Sequence, residues 1–377
     1  MISNGIVRGA LLCLPAIVLA LGLLIVSNRC VRRLRQRRRE RRAEPVRGLL
    51  LQLLCAEEDE QSELLRRLAE VDRRTWTALE PSLTALLGKV SGAARTALVR
   101  LYEERGAAVE AVADLESRSA ARRGRAAQVL GQLSHRAAEP SLCRLLADRD
   151  PEVRLAAARA LGRCGGPATV PHLLDSLSGS RTVPPGAVTG ALVSLGPEAQ
   201  RSVAAGLDHP EPLARAVAIE VLGATGMVAR TSDIARALCA DPSDEVRIRA
   251  ARALGRLGMP DGLEPLLRVV RPGQSLALRI VGTGALGNLG AVSATDRLAE
   301  LLGDSNRHVA STAARSLLRL GPTGQRALHK AAAGARGEQA AAQARAALAE
   351  AAVAGSQHDV PVAVSYTHLT LPTILRV

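Results

Sequence analysis

The chain has 377 residues and a formal net charge of +14, with one Trp, two Tyr, no Phe and six cysteines. So few rings leave little for a surface that holds nucleic-acid bases by stacking. The cysteines form no Cys-x-x-Cys pair, which fits inert thiols in a reduced setting better than a disulfide framework. Lys89 and Lys330 are the only lysines among 50 basic residues, and Ala, Gly and Leu dominate, the usage of a GC-rich, bacterial genome.

Gly9 to Asn28 carries no charge and is interrupted only by Pro15 and Gly22. Its length spans about 30 Å, the thickness of a bilayer's hydrocarbon. Only Arg8 precedes it, whereas between Arg29 and Arg47 ten arginines stand against Glu40 and Glu44, a net +8. Positive flanks stay cytoplasmic. Residues 1–8 are therefore expected outside, 9–28 as a transmembrane helix, 29–47 as an Arg-rich juxtamembrane segment, and all that follows in the cytoplasm at a bacterial inner membrane. A cleaved signal peptide would carry the opposite flank. Arg29, Arg32, Arg33, Arg35, Arg37, Arg38, Arg39, Arg41 and Arg42 are assigned to anionic lipid headgroups of the inner leaflet. The rest of the chain then holds only +6, and no nucleic-acid partner is expected.

Residues 48–74 read as a helical cap, with short helices over 46–56 and 62–71, the second started by Ser62. The end of a repeat stack needs such a cover. Trp76 is assigned to packing in the first repeat.

Leu98, Leu130, Leu161, Leu192, Leu222, Leu254, Leu286 and Leu317 then recur at intervals of 30 to 32 residues. A fixed period of this size means one supersecondary unit stacked many times, since a single unit cannot bury its own apolar face. Val153, Ala156, Ala157, Ala160, Leu161 and Cys164 line one face of a 3.6-residue helix. Asp150 and Pro151 read as its N-cap and first position, and Gly165-Gly166-Pro167 as its end, with Gly in a left-handed cap. Val170, Leu173, Leu174 and Leu177 supply a second helix. The stretch from Asp244 repeats the design with a break at Gly258-Met259-Pro260. Residues 75–355 are thus predicted to hold about eight helix pairs.

The pattern Asp-x-x-Val-Arg-x-x-Ala-Ala-x-Ala-Leu-Gly-x-x-Gly resembles the HEAT repeat, in the short variety shared with phycobilisome-lyase-like proteins, over roughly Thr75 to Val353. The resemblance implies an all-α fold, an α-solenoid of HEAT-like helix pairs following the transmembrane helix. It also implies a scaffold or adaptor that binds protein. The chain looks like membrane-anchored bacterial HEAT proteins, which would make an inner-membrane enzyme such as a glycosyltransferase the partner. The competing readings are an accessory subunit of a membrane enzyme complex, a lyase-like enzyme, and a nucleic-acid-binding solenoid. The unit at Leu192 departs from the pattern by lacking Val-Arg and carrying Pro184-Pro185. The unit at Leu286 carries Gly282, Gly284 and Gly287. Leu195-Gly-Pro and Leu320-Gly-Pro echo each other as a variant turn.

No enzyme signature emerges. The seven histidines are scattered with no two at i, i+4, and Gly282-Thr-Gly-Ala-Leu-Gly287 lies inside a helix, where close packing explains it. No catalytic residue, metal, cofactor or small-molecule substrate is expected. What remains is a surface. Arg159 and Arg163 stand one turn apart away from the apolar stripe, and Arg252 with Arg256 and Arg315 with Arg319 occupy the aligned positions. The resemblance puts this helix on the concave side, where these arginines would meet an acidic partner; a solvated face held by Glu152-type neighbours gives the same pattern. Arg154 and Arg247, beside Asp150 and Asp244, read as a structural Asp–Arg ladder. Residues 356–377 are expected to be a disordered tail, and 364–377 resembles a translated sequencing adapter.

Overall fold

The computed structural model describes residues 58–335 and 337–358, together with residues 27, 29, 44–46 and 48–54. The expected stretch 1–8, all but residue 27 of the span 9–28, the arginines from Arg32 to Arg42 and the tail beyond 358 lie outside the described residues. No helix among the described residues is long and apolar enough to cross a membrane.

The described elements are all helices, with no strand among the described residues. Residues 44–46 and 48–54 are helical, and α1 (Glu58–Ala69) and α2 (Arg73–Leu87) follow them. Long first helices then alternate with short second ones: α3 (Gly92–Glu104) and α4 (Ala107–Asp114), α5 (Ala120–Gln132) and α6 (Glu139–Leu145), α7 (Pro151–Cys164) and α8 (Thr169–Asp175), α9 (Pro185–Ser194) and α10 (Gln200–Ala205). The series continues with α11 (Pro212–Ala224) and α12 (Thr231–Ala240), α13 (Asp244–Leu257) and α14 (Leu263–Val269), α15 (Leu276–Leu289) and α16 (Thr295–Leu301), α17 (Arg307–Arg319) and α18 (Pro322–Lys330), and ends at α19 (Glu338–His358). The last helix runs three residues past the expected boundary at 355. Two compact units result, one running to Leu195 and the other from Gly196, with Leu177–Ser180 grouped with the second.

All eight recurring leucines are at most 1% exposed, so the period read from the sequence is the period of the core. The glycine after the leucine sets how closely consecutive first helices approach. In the first unit, a Cβ on Gly131 or Gly162 would lie 2.6 or 2.7 Å from the Cα of Ala160 or Ala191 in the next first helix. In the second unit Gly223, Gly255 and Gly287 meet Ala253, Ala285 and Ser316 at 2.6–2.8 Å in the same way. Each Leu-Gly therefore packs on the small residue before the next repeat's leucine, and only a residue without a side chain fits. Inside α15, Gly287 of the nominal Gly-x-Gly-x-x-Gly serves this close packing, whereas Gly282 makes room for the side chains of Val269 and Val270.

Several helix ends follow the expected chemistry. Asp150 caps α7 by accepting the Glu152 N–H at 2.8 Å, with Pro151 at the first position, and Gly258 ends α13 in the left-handed region at φ 67°. Gly165 does not: its φ of −75° and ψ of 169° are extended. Glycine is needed there for space, because a Cβ would lie 2.5 Å from the Leu161 carbonyl oxygen and 2.9 Å from the Thr169 side chain. Ser62 is likewise not a cap. It lies within α1, whose buried face of Gln61, Leu65 and Leu68 starts before it. The two Leu-Gly-Pro turns share one backbone state, with φ and ψ of 79° and −165° at Gly196 and of 65° and −141° at Gly321, a region open only to glycine.

Candidate interaction face

Arg159 and Arg163 on α7, Arg252 and Arg256 on α13, and Arg315 and Arg319 on α17 are all exposed, on the side of the helix that the buried leucines leave free. None of the six reaches a carboxylate, and five make no side-chain hydrogen bond; Arg319 donates to Oδ1 of Asn288 at 3.0 Å. No carboxylate among the described residues ties these charges down, and Arg319 alone has a side-chain partner. In the second unit α15 packs against both α13 and α17 and offers Gly284 and Asn288 at the aligned positions. In the first unit a groove of about 640 Å³ runs between α5 and α7. Gly124, Ala156 and Ala160 line it together with Arg125, Arg159 and Arg163.

Other arginines are neutralised, and of the two pairs expected from sequence one forms and one does not. Arg154 does not bond Asp150; it donates to the carbonyls of Asp148, Arg149 and Thr182, because the Asp150 carboxylate is occupied as the cap of α7. Arg247 does meet Asp244, at 3.4 Å, and also donates to the Leu238 carbonyl and to Gln274. The true ladder joins one repeat to the next. Arg123 grips Asp148 with two bonds of 2.7 and 2.8 Å, Arg215 grips Asp241 at 2.8 and 2.9 Å, and Arg279 pairs with Asp304. The three aspartates are each 8% exposed at the side chain. Each also accepts the backbone N–H two residues on, from Asp150, Ser243 and Asn306, which fixes the turn that launches the next first helix. Burial alone would raise the Asp148 and Asp241 carboxyls; the hydrogen bonds from arginine and backbone, with the arginine charge, outweigh it and hold both below the usual range. The signal was present in the sequence. Arg123, Arg154, Arg215, Arg247 and Arg279 all stand seven residues before a recurring leucine.

Trp76 packs as expected near the start of the stack. It meets Tyr102 edge-on with ring centroids 5.3 Å apart, and the Arg105 guanidinium lies 4.3 Å from its ring centre. Nη1 of Arg105 also donates to the carbonyls of Leu68, Ala69 and Val71, closing the C-terminal end of α1. Burial pushes the Cys164 and Cys143 thiols up to about 11, so neither is a thiolate at neutral pH. Among the described residues no group of His, Cys, Asp or Glu is placed to hold a metal ion. Of the juxtamembrane arginines only Arg29 is described, as a helical residue.

Stacked helix pairs with a fixed leucine period, a glycine-on-alanine register and an Arg–Asp rung between repeats define an α-helical repeat protein. Within these repeats, residues 108–183 and 201–281 match the model of the HEAT-repeat family. Among solved structures, an engineered protein is 20% identical, with 80% of this chain and 97% of that one covered at a TM-score of 0.37. Kap121p is 16% identical over 76% of this chain and 38% of its own, at a TM-score of 0.45. The complex of CpcE and CpcF of phycocyanin lyase from a Nostoc species is 24% identical over 71% and 92%, at 0.27. Likenesses of this size leave the functions of those proteins with those proteins. No curated protein matches the chain.

Proposed function

We propose that this chain is a non-catalytic scaffold, held at the cytoplasmic face of a bacterial inner membrane by its N-terminal segment, that binds a protein partner on the exposed side of its first helices. The observation that carries the reading is the contrast between two sets of arginines. Arg123 and Arg215 are locked to aspartates, whereas Arg159, Arg163, Arg252, Arg256 and Arg315 are exposed and unpaired. Arginine is enriched at interfaces because its planar fork makes paired contacts, and the HEAT repeats provide a long surface on which to present it. Anchoring rests on the uncharged run from Gly9 to Asn28 and the ten arginines after it. An inner-membrane enzyme, such as a glycosyltransferase, is the partner this placement favours.

Two measurements test it. A reporter fused after residue 355 is expected to be active only as a cytoplasmic reporter, and periplasmic activity there would overturn the topology. A photo-crosslinking residue placed at Arg159 or Arg252 in cells is expected to capture a protein, while one placed at buried Leu161 is not. Equal silence at both arginine positions would remove the binding face.

A further inference from the structure

The groove between α5 and α7 is specific enough to name what it takes, on the reading that this face binds protein. Its length is set by the lining of α5 from Ala120 to Gln132, about 18 Å at the helical rise. Five residues of extended chain span about 16 Å and match it. The spacing of the charges along the groove selects an occupant of that kind.

The charges along the groove have a spacing. Contact of Gly131 with Ala160 fixes the register of the two helices and puts Arg125, six residues before Gly131, level with Arg154. Arg159 then stands about 7.5 Å further along and Arg163 about 6 Å beyond it. Alternate residues of an extended chain recur about every 6.6 Å on one side. All three arginines are exposed; none forms an ion pair or a side-chain hydrogen bond, though Arg125 lies within electrostatic reach of Glu80. Asp150 and Glu152 line the groove near its Arg125 end and repel further acidic residues there. Small residues on the floor let a peptide backbone come close.

We infer that the α5–α7 groove binds an extended acidic segment of a partner protein, with three carboxylates at alternate positions set against Arg125, Arg159 and Arg163.

The test uses the full chain in detergent micelles and a dye-labelled peptide containing Glu-Ser-Glu-Ser-Glu, against an isomer containing Glu-Glu-Glu-Ser-Ser, read by fluorescence anisotropy. The alternating peptide is expected to bind about tenfold more tightly than the block isomer, since only it meets all three charges at once. R159E/R163E is expected to weaken it by more than about tenfold and R159Q/R163Q by about fivefold, with the helical circular dichroism unchanged; R252E/R256E stays within about twofold. Equal binding of the two peptides, or undiminished binding to R159E/R163E, overturns the inference. So does displacement of the peptide by phosphatidylglycerol added to the micelles, which would make the groove a lipid headgroup site, or preference for an oligonucleotide. Loss at R252E/R256E alone would overturn the groove and leave the scaffold reading standing. Crosslinks missing from both faces in cells would remove that reading while the peptide measurement stood.

Discussion

Gly162 and Gly190 turn the packing of the first unit into opposite expectations for one substitution. Gly162→Ala on α7 puts a methyl 2.7 Å from the Cα of Ala191 and 3.0 Å from its carbonyl oxygen. Ordinary contact begins near 3.4 Å, so α7 and α9 must part by about 0.7 Å, the difference of those distances, because backbone cannot rotate aside. Overpacking of this kind costs about 1–3 kcal/mol, and the upper end applies where the obstacle is main chain. Exchanging a helical glycine for alanine returns about 1 kcal/mol, which leaves a net loss of about 2 kcal/mol. Gly190→Ala on α9, beside Ala191, meets nothing within 4 Å and collects the propensity alone, a gain of about 0.5–1 kcal/mol. Denaturant unfolding of the full chain followed by far-ultraviolet circular dichroism should move the two midpoints in opposite directions. Hydrogen exchange should place the Gly162→Ala loss in α7 and α9, a check needed because repeat arrays depart from two-state unfolding. Midpoints that shift the same way would refute the glycine-on-alanine register.

Asp241→Ala is expected to cost about 3 kcal/mol, because it strands the Arg215 guanidinium with its side chain 13% exposed. Since the Asp241 carboxyl is held below its ordinary value, the rung's contribution is complete above a pH of about 4. It is lost as pH falls through the lower folded-state pKa. Acid unfolding of the wild type should therefore begin below that pH, and Asp148→Asn with Asp241→Asn should flatten the acid limb; an unchanged limb would show that the rungs do not couple to folding. Arg105→Ala removes the cation over Trp76 and uncaps the last two carbonyls of α1 and that of Val71 beyond it. A loss of about 1–2 kcal/mol is expected, with a red shift in the emission of the chain's single Trp; unshifted emission would place the ring in another environment.

Much of the fold was legible because it repeats. The leucine period, the helix pairs, the Asp150 cap and the Gly258 stop are local signals, and each recurs often enough to be checked against its neighbours. Contacts made between one helix and the next were not legible in the same way. Gly165 looked like a left-handed stop because glycine commonly is one; its actual reason, the crowding of Leu161 and Thr169, depends on how the second helix folds back. Arg154 looked like the partner of Asp150 because the two are close in sequence, yet the aspartates that neutralise Arg123 and Arg215 lie 25 and 26 residues downstream.

The same difficulty explains why the sequence placed the outward arginines on one face without showing which arginines are neutralised. Arginine at a helix surface has two uses in this chain. Seven residues before a recurring leucine it faces the turn of the next repeat, where Arg123, Arg215 and Arg279 are absorbed by Asp148, Asp241 and Asp304, Arg154 by backbone carbonyls, and Arg247 by the Leu238 carbonyl, Asp244 and Gln274. Two residues before or after that leucine, as with Arg159 and Arg163, it points outward, where the next first helix presents only Gly190 and Ser194 at the matching positions and no acid. Sequence gives the helix phase of both sets, and so places them on opposite duties, but it does not say which acid reaches which arginine. With the rungs assigned, the aspartates at the repeat turns are spoken for, and the outward arginines keep their charge. That surplus is the physical basis of the proposal that the first-helix face takes an acidic partner.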